Sequence, residues 1–565
     1  MAQSQTWQEL VAEKKLRQQA SIPKEWILTN LPSQSELNIT EFPEACGLLS
    51  AKDIEITNTH VGGLLEKLAS AQWSSMEVTT AFSKRAIIAH QLTNCLTEIF
   101  IDRALARASE LDAHLKATGK VVGPLHGLPI SLKDQISLKG IESTMGYVSW
   151  IGKYAERNAV LVDALEALGA VLYVKTNIPQ TLMWPETFNH VFGRTVNPYN
   201  RSLTSGGSSG GEGALMALKG APIGVGSDIG GSIRIPSAFC GTYGFRPSTG
   251  RVPYAGSVNS LEGQDSLPSV LGPLSNSIGG IKSFIQGVFS QSTWLRDPNV
   301  IRKKWDEDEY RLVEHGSGKK LCFAIIWNDG QVVPHPPIIR GLEIAKKALL
   351  AAGHKVIDWK PLNHTKINGT ATAIFGAGSA MDFSTVIAET KEPYISSMAL
   401  DQEDFFDEQP VTAAEISAYE LWQVHKRKRD LRQEYLEYWL ATASETGTGR
   451  PVDALISPVA AYTATPHGKN HSAHYTMIFN TLDYPALVIP VSKVDQVLDQ
   501  KKPVHEFLSK EDQANYELYE PGSFKDAPIS IQVVGRTHED EAVIAMAEIV
   551  DAALKAQRSG LKHAL

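Results

Sequence analysis

The stretch AVLVDALEALGAVLYVKTNIP, residues 159–179, constrains the fold more than any other part of the chain. Apolar residues recur at helical spacing up to Gly169, which closes a helix, and a strand of β-branched and aromatic residues, AVLYVKT, follows at once. A helix feeding directly into a buried strand is the repeating step of an α/β sheet. The same step recurs further on. SSGGEGALMALKG starts on serines and glycines, runs helical through Leu218 and gives way after Gly220 to the strand-like APIGVGSD. Before both lies GPLHGLPISLKDQI (123–136), whose short apolar run, bounded by Gly127 and Pro129, predicts another buried strand ending in Lys133. The closing third adds the apolar runs DALISPV, YPALVIPVS and PISIQVVG, then a helix from about Glu539 to Lys555.

The expected fold class is therefore α/β: one large α/β/α domain with a central mixed, mostly parallel sheet covered by helices. At 565 residues a prior of about 150 per domain would suggest three or four domains, but no internal repeat or low-complexity tract divides the chain. Residues 1–55, with the polar helix WQELVAEKKLRQQ and Pro-punctuated loops, are expected to form an arm packed on the body, and residues 56–565 the catalytic domain. Within that domain, 300–445 is expected to be largely helical and to line a pocket. Ser74 and Glu77 predict a capping box at the start of a core helix.

Charge and cysteines exclude several classes of function. A net charge of -8 with dispersed basic residues leaves no electrostatic footprint for nucleic acid. Cys46, Cys95, Cys240 and Cys322 form no CxxC pair, which argues against a zinc site or a disulfide framework and for reduced thiols in the cytoplasm. The first residues lack the apolar core of a leader, and no window has the run of about 18 apolar residues needed for an integral membrane segment. The final KHAL matches no retention or peroxisomal address.

Glycine and serine concentrate in two places: GGSSGGEG (206–213) and GSDIGGSIRIPSAFCG (226–241). Glycine-crowded amides can point at one negative oxygen, and a serine among them can be the atom that creates it. Taken singly, the features are bland: a lysine after a strand usually faces solvent, a serine pair before a helix is usually an N-cap, and Gly-Gly-Ser is usually a turn. GGSSGGEG lacks the Lys-Ser/Thr of a phosphate loop and the spacing of a dinucleotide fingerprint. Cys240 sits in the apolar phrase PSAFCGTYGF without a neighbouring histidine and reads as structural. The sixteen histidines supply no H-x-H or HExxH pair and the GxSxG elbow is absent, so lysine is the better base.

Together these segments resemble the amidase signature family. GGSSGGEGALMALKGAPIGVGSDIGGSIRIPSAFCGTYGFRPSTGR is similar to its signature, GPLHGLPISLKD to its lysine motif, TNIPQTLM and FGRTVNPYN to its connecting region, and APISIQVVGR to its closing strand. SIPKEW, QLTNC and VVPHPPIIRG resemble the fungal acetamidase-type general amidases within it. The resemblance covers roughly residues 55–555. It implies hydrolysis of the C–N bond of a small-molecule carboxylic amide through an acyl-enzyme, with no metal or organic cofactor, and a homodimer.

Carried onto matching positions, the resemblance implies that Ser232 is the nucleophile, Ser208 a bridging serine on a cis peptide and Lys133 the base. The amides of Ile229, Gly230, Gly231 and Ser232 would form the oxyanion hole. Ser209, Asp228 and Arg234 are expected to support the site, and Leu182, Met183 and Trp184 to shape the acyl pocket. A base at position 133 must be neutral, whereas free lysine titrates near 10.4, so burial has to lower it by roughly three pH units, about 4 kcal/mol. Leu128, Ile130 and Leu132 supply apolar surroundings for that. Three alternatives remain: a lipid-amide hydrolase of the same family, a glutamine-dependent amidotransferase subunit with an ammonia-consuming partner, and a non-catalytic scaffold of the same fold.

Overall fold

The computed structural model describes residues 5–398, 406–407 and 416–562. The KHAL terminus lies almost wholly outside the described residues, as do the remaining positions between 399 and 415 of the expected helical region.

Eleven strands form one sheet: β1 (Leu96–Ile99), β2 (Pro129–Lys133), β3 (Val171–Thr176), β4 (Ile223–Asp228), β5 (Tyr243–Arg246), β6 (Val270–Ser275), β7 (Cys322–Ile325), β8 (Lys355–Asp358), β9 (Ala454–Pro458), β10 (Ala486–Lys493) and β11 (Pro528–Val534). Their order across the sheet is β1-β3-β2-β4-β6-β5-β10-β11-β9-β7-β8. The fold is α/β with a mixed sheet, as expected, but the sheet is not mostly parallel. Only β2–β3, β2–β4, β7–β9 and β7–β8 pair in parallel. The centre, from β4 through β6, β5, β10 and β11 to β9, is antiparallel throughout. A strand buried on both faces reads as a continuous apolar run whichever way it points, so direction is not legible in composition.

Both faces of the sheet are buried, and the period-2 alternation shows it. Phe323 and Ile325 face the core beneath the helices Pro336–Ala351 and Asp540–Lys562, while Ala324 and Ile326 face the opposite side, against Trp359, Tyr435 and Trp439. The helix Ser75–Thr93 begins with the capping box read from the sequence, Ser74 accepting from the Glu77 backbone and Glu77 from that of Ser74.

The N-terminal helix Trp7–Ala20 is tied to the body by ions as well as by packing. Lys14 Nζ is buried and lies 2.5 Å from Glu142 Oε2 with Glu98 on its other side, and Gln18 donates to the Leu96 carbonyl. Removing one partner of such a buried pair leaves an uncompensated charge, so the helix is held in one place.

Candidate active site

Lys133 is the last residue of β2, a strand buried from end to end, and its side chain is 0% exposed. Parallel pairing with β4, Leu132 opposite Val225, puts the lysine beside the carboxyl end of β4, where Ser227 and Asp228 close the strand. Ligands of open α/β sheets sit at such ends. Lys133 Nζ lies 2.7 Å from Ser208 Oγ and 2.8 Å from Ser227 Oγ. Burial pushes this amine down to about 7, against the pull of the Asp228, Glu212 and Asp134 carboxylates.

Ser208 follows the turn Gly206–Gly207, and the Gly207–Ser208 peptide is cis. A Cβ on Gly207 would stand 2.6 Å from the Glu186 backbone N and O, so only glycine fits where this turn presses on its neighbour. Ser209 occupies the N-cap position of the helix Gly210–Ala217 without a side-chain capping bond. Its hydroxyl instead lies against the Ser227 backbone at 3.4 Å, and its N–H donates to the Ser232 carbonyl at 3.2 Å. Ser209 therefore bridges the two glycine-rich segments through contacts to the backbone of Ser227 and Ser232.

Asp228 organises the loop that carries Ser232. Its buried carboxylate accepts from the backbone N–H of Gly231 at 2.8 Å and Ile233 at 3.2 Å, from the Arg234 guanidinium at 3.0 Å through both oxygens, and from Asn480 Nδ2 at 2.8 Å. Burial opposes its charge, but Arg234 and Asn480 win and hold the carboxyl at about 2. Gly231 has φ +137°, and a Cβ there would meet Thr476 Oγ1 at 2.2 Å, while Thr476 Oγ1 donates to the Gly230 carbonyl at 2.6 Å. The turn is thus clamped from the helix His474–Leu482.

This geometry alters the expected oxyanion hole. The Gly231 N–H is already donated to Asp228, whereas the N–H groups of Ile229, Gly230 and Ser232 make no hydrogen bond with any described residue. Three amides rather than four are unengaged. The Ser232 side chain is 9% exposed, against 1% for Ser208, and its hydroxyl makes no hydrogen bond with a described residue. The structure therefore brings Lys133 and Ser208 into hydrogen-bond contact and joins Ser232 to them through the Ser209 backbone, with the Ser208–Ser232 hydroxyl contact not made. Leu182, at φ +64°, packs with Met145, Tyr147 and Ile178, and Met183 and Trp184 are half-buried beside it.

Sequence reasoning missed four contributors. Ser227 donates to Gln135 Oε1, and Gln135 Nε2 donates to the Tyr254 hydroxyl at 2.8 Å and the Val258 carbonyl at 2.9 Å, which fixes the amide's orientation. Glu212, wholly buried, accepts from Ser131 at 2.6 Å and Thr176 at 3.0 Å, and burial pushes its carboxyl up to about 7 against those bonds. Asn480 completes the Asp228 shell from the helix His474–Leu482. Ser227, Gln135 and Glu212 lie within or next to the quoted motifs and could have been singled out as polar residues in apolar surroundings. No local pattern marks Asn480.

The Amidase family model matches residues 77–544. The chain is 42% identical to an acetamidase of Emericella nidulans over 97% of this chain and 98% of that one. It is 41% identical to an acetamidase of Aspergillus oryzae, again over 97% of this chain and 98% of that one. Among solved structures it is similar to a fatty acid amide hydrolase, with a TM-score of 0.88 and 32% identity over 97% of this chain and 95% of the other. No helix of the described residues is long and apolar enough to cross a membrane.

Proposed function

The chain belongs to the amidase family and hydrolyses the C–N bond of carboxylic amides; from that premise we propose that Ser232, Ser208 and Lys133 are the nucleophile, the proton bridge and the base. The observation that carries this reading is the buried contact of 2.7 Å between Lys133 Nζ and Ser208 Oγ, at an amine that burial brings to about 7. Such an amine is substantially neutral near neutral pH and can accept a proton, as a free lysine cannot.

Lys133 accepts the proton of Ser208 while Ser208 takes that of Ser232, whose oxygen forms a bond to the amide carbon. The carbonyl electron pair moves onto oxygen, where the N–H groups of Ile229, Gly230 and Ser232 receive it. Each aimed donor of this kind contributes about 3 kcal/mol. The proton returns through Ser208 to the leaving nitrogen as the C–N bond breaks, and water then releases the acid from the acyl-enzyme by the same route. Asp228 and Arg234 keep the loop in register, and Ser209 fixes the spacing between the segments.

Similarity to two acetamidases supports acetamide and short aliphatic amides as substrates, with Leu182 and Met183 bounding the acyl group. The helix Trp7–Ala20, anchored by Lys14, packs on the body, in keeping with an arm that precedes a catalytic domain beginning near residue 56. Free thiols at all four cysteines support a cytoplasmic location.

The test is ammonia release from acetamide, hexanamide, benzamide, glutamine and a long-chain fatty amide by the parent, Ser232→Ala and Lys133→Ala. Release by the parent, greatest with the short amides and lost in both variants, is expected. Activity surviving in Ser232→Ala overturns the assignment, and a preference for the long-chain amide or glutamine overturns the substrate reading.

A further inference from the structure

A second site lies away from the triad. A cavity of about 740 Å³ opens between the helix Ala418–Ala441, the end of the helix His474–Leu482 and the turn after β11, and none of Lys133, Ser208 or Ser232 lines it. Its walls carry Lys428, Arg429, Arg432 and Arg536 against one acidic residue, Asp265, which is exposed and forms no ion pair with them.

Two of the cations have partners elsewhere: Arg536 pairs with Glu539 and Arg429 with Asp430. Lys428 and Arg432 do not. Among the described residues Lys428 is bonded only to the Ser266 carbonyl, and Arg432 makes no hydrogen bond or ion pair. They stand four residues apart on one helix face, where like charges destabilise each other. Burial, with Arg432 next and Arg246 behind, pushes the Lys428 amine down to about 8, while the Asp483 carboxylate pulls the other way. A second observation is independent of charge. The Tyr484 hydroxyl, on a residue 4% exposed that lines the same cavity, has no hydrogen-bond partner among the described residues. A buried polar atom left unpaired costs about 1–3 kcal/mol. Arg432 and Arg536 line the same cavity and act on the hydroxyl electrostatically, with the Glu539 carboxylate opposing them.

The geometry points to a binding site for a phosphate group, free or on a small ester, held by Lys428, Arg432 and the Tyr484 hydroxyl with Arg536 beside them. These groups can all donate, and a phosphate dianion offers three or more acceptor oxygens to two cations that form no ion pair with a described carboxylate. A bound phosphate would satisfy the phenol and relieve the repulsion between Lys428 and Arg432. It would also bear on the helix His474–Leu482, whose Thr476 and Asn480 hold the glycine loop and Asp228.

The experiment is isothermal titration of the full chain with inorganic phosphate and with glycerol 3-phosphate, in chloride buffer at constant ionic strength. Saturable uptake of one phosphate per chain is expected. Arg432→Gln and Lys428→Gln should each weaken it at least tenfold, and Tyr484→Phe several-fold. Equal affinity for the two probes identifies free phosphate as the ligand, and tighter binding of the ester identifies a phosphate monoester. Without phosphate, Arg432→Gln should unfold at the same denaturant concentration as the parent or a higher one, which separates loss of the site from loss of the fold. No saturable uptake by the parent, or undiminished uptake by both Arg432→Gln and Lys428→Gln, overturns the proposal.

Discussion

Lys133 sets a pH dependence that can be worked out from its surroundings. A lysine ordinarily titrates near 10.5, and complete burial brings this one to about 7 although Asp228, Glu212 and Asp134 pull upward. Only the neutral amine can take the Ser208 proton, so activity rises with pH as the ammonium is lost. With a midpoint at about 7, roughly a tenth of the enzyme is competent at pH 6 and roughly nine tenths at pH 8. The kcat/KM for acetamide should fall about tenfold for each pH unit below 6 and level off above 8. Asp228, held at about 2, stays ionised throughout. Glu212, pushed up to about 7, titrates in the same window and has to be separated from the lysine. Glu212→Gln does this. It removes a carboxylate that favours the ammonium, so a limb owned by Lys133 moves to lower pH and persists, whereas a limb owned by Glu212 disappears. Initial rates of ammonia release between pH 5 and 9 for both proteins decide it. A flat parent profile, or a limb abolished in Glu212→Gln, refutes the lysine as base.

Two further substitutions probe the loop. Asp228→Asn leaves the Arg234 guanidinium buried without a counter-charge, since both members of that pair are 0% exposed; breaking such a pair costs about 3–5 kcal/mol. The denaturant midpoint should drop accordingly and kcat with it, and an unchanged midpoint would show that the neutral acceptors of Arg234, Asn480, Gln532 and the Thr476 carbonyl, suffice to hold it. Gly231→Ala places a methyl 2.2 Å from Thr476 Oγ1 at a φ of +137°, so the turn must shift, and with it the unengaged amides of Ile229, Gly230 and Ser232 proposed to hold the oxyanion. A fall in kcat of about 10²–10³-fold is expected from loss of one aimed donor, measured under saturating acetamide, and a kcat within threefold of the parent would remove the loop from the oxyanion role.

What could be read in the sequence and what could not divide along the range of the forces involved. Local signals were legible: the Ser74–Glu77 capping box, the buried strand ending in Lys133, and the glycine-rich loop after β4 all depend on residues within a few positions of one another. Strand direction was not, because β9, β10 and β11 are apolar runs whose pairing is decided by long connections, and they pair antiparallel. The same limit explains the site. The resemblance implies that Gly231 aims its N–H at substrate, and glycine frees the backbone to do so, yet freedom does not choose a target. The choice is made by Asp228, three residues earlier, whose carboxylate is itself fixed by Arg234 nearby and by Asn480 some 250 residues away. Lys133 follows the same logic. Its apolar neighbours in β2 predicted a lowered pKa, but how far it falls depends on Glu212 and Asp228, which reach it only when β2 and β4 pair and the helix Gly210–Ala217 packs over them. The groups proposed to react are therefore written in the motifs, and their protonation and hydrogen bonding are set by the sheet that brings the motifs together.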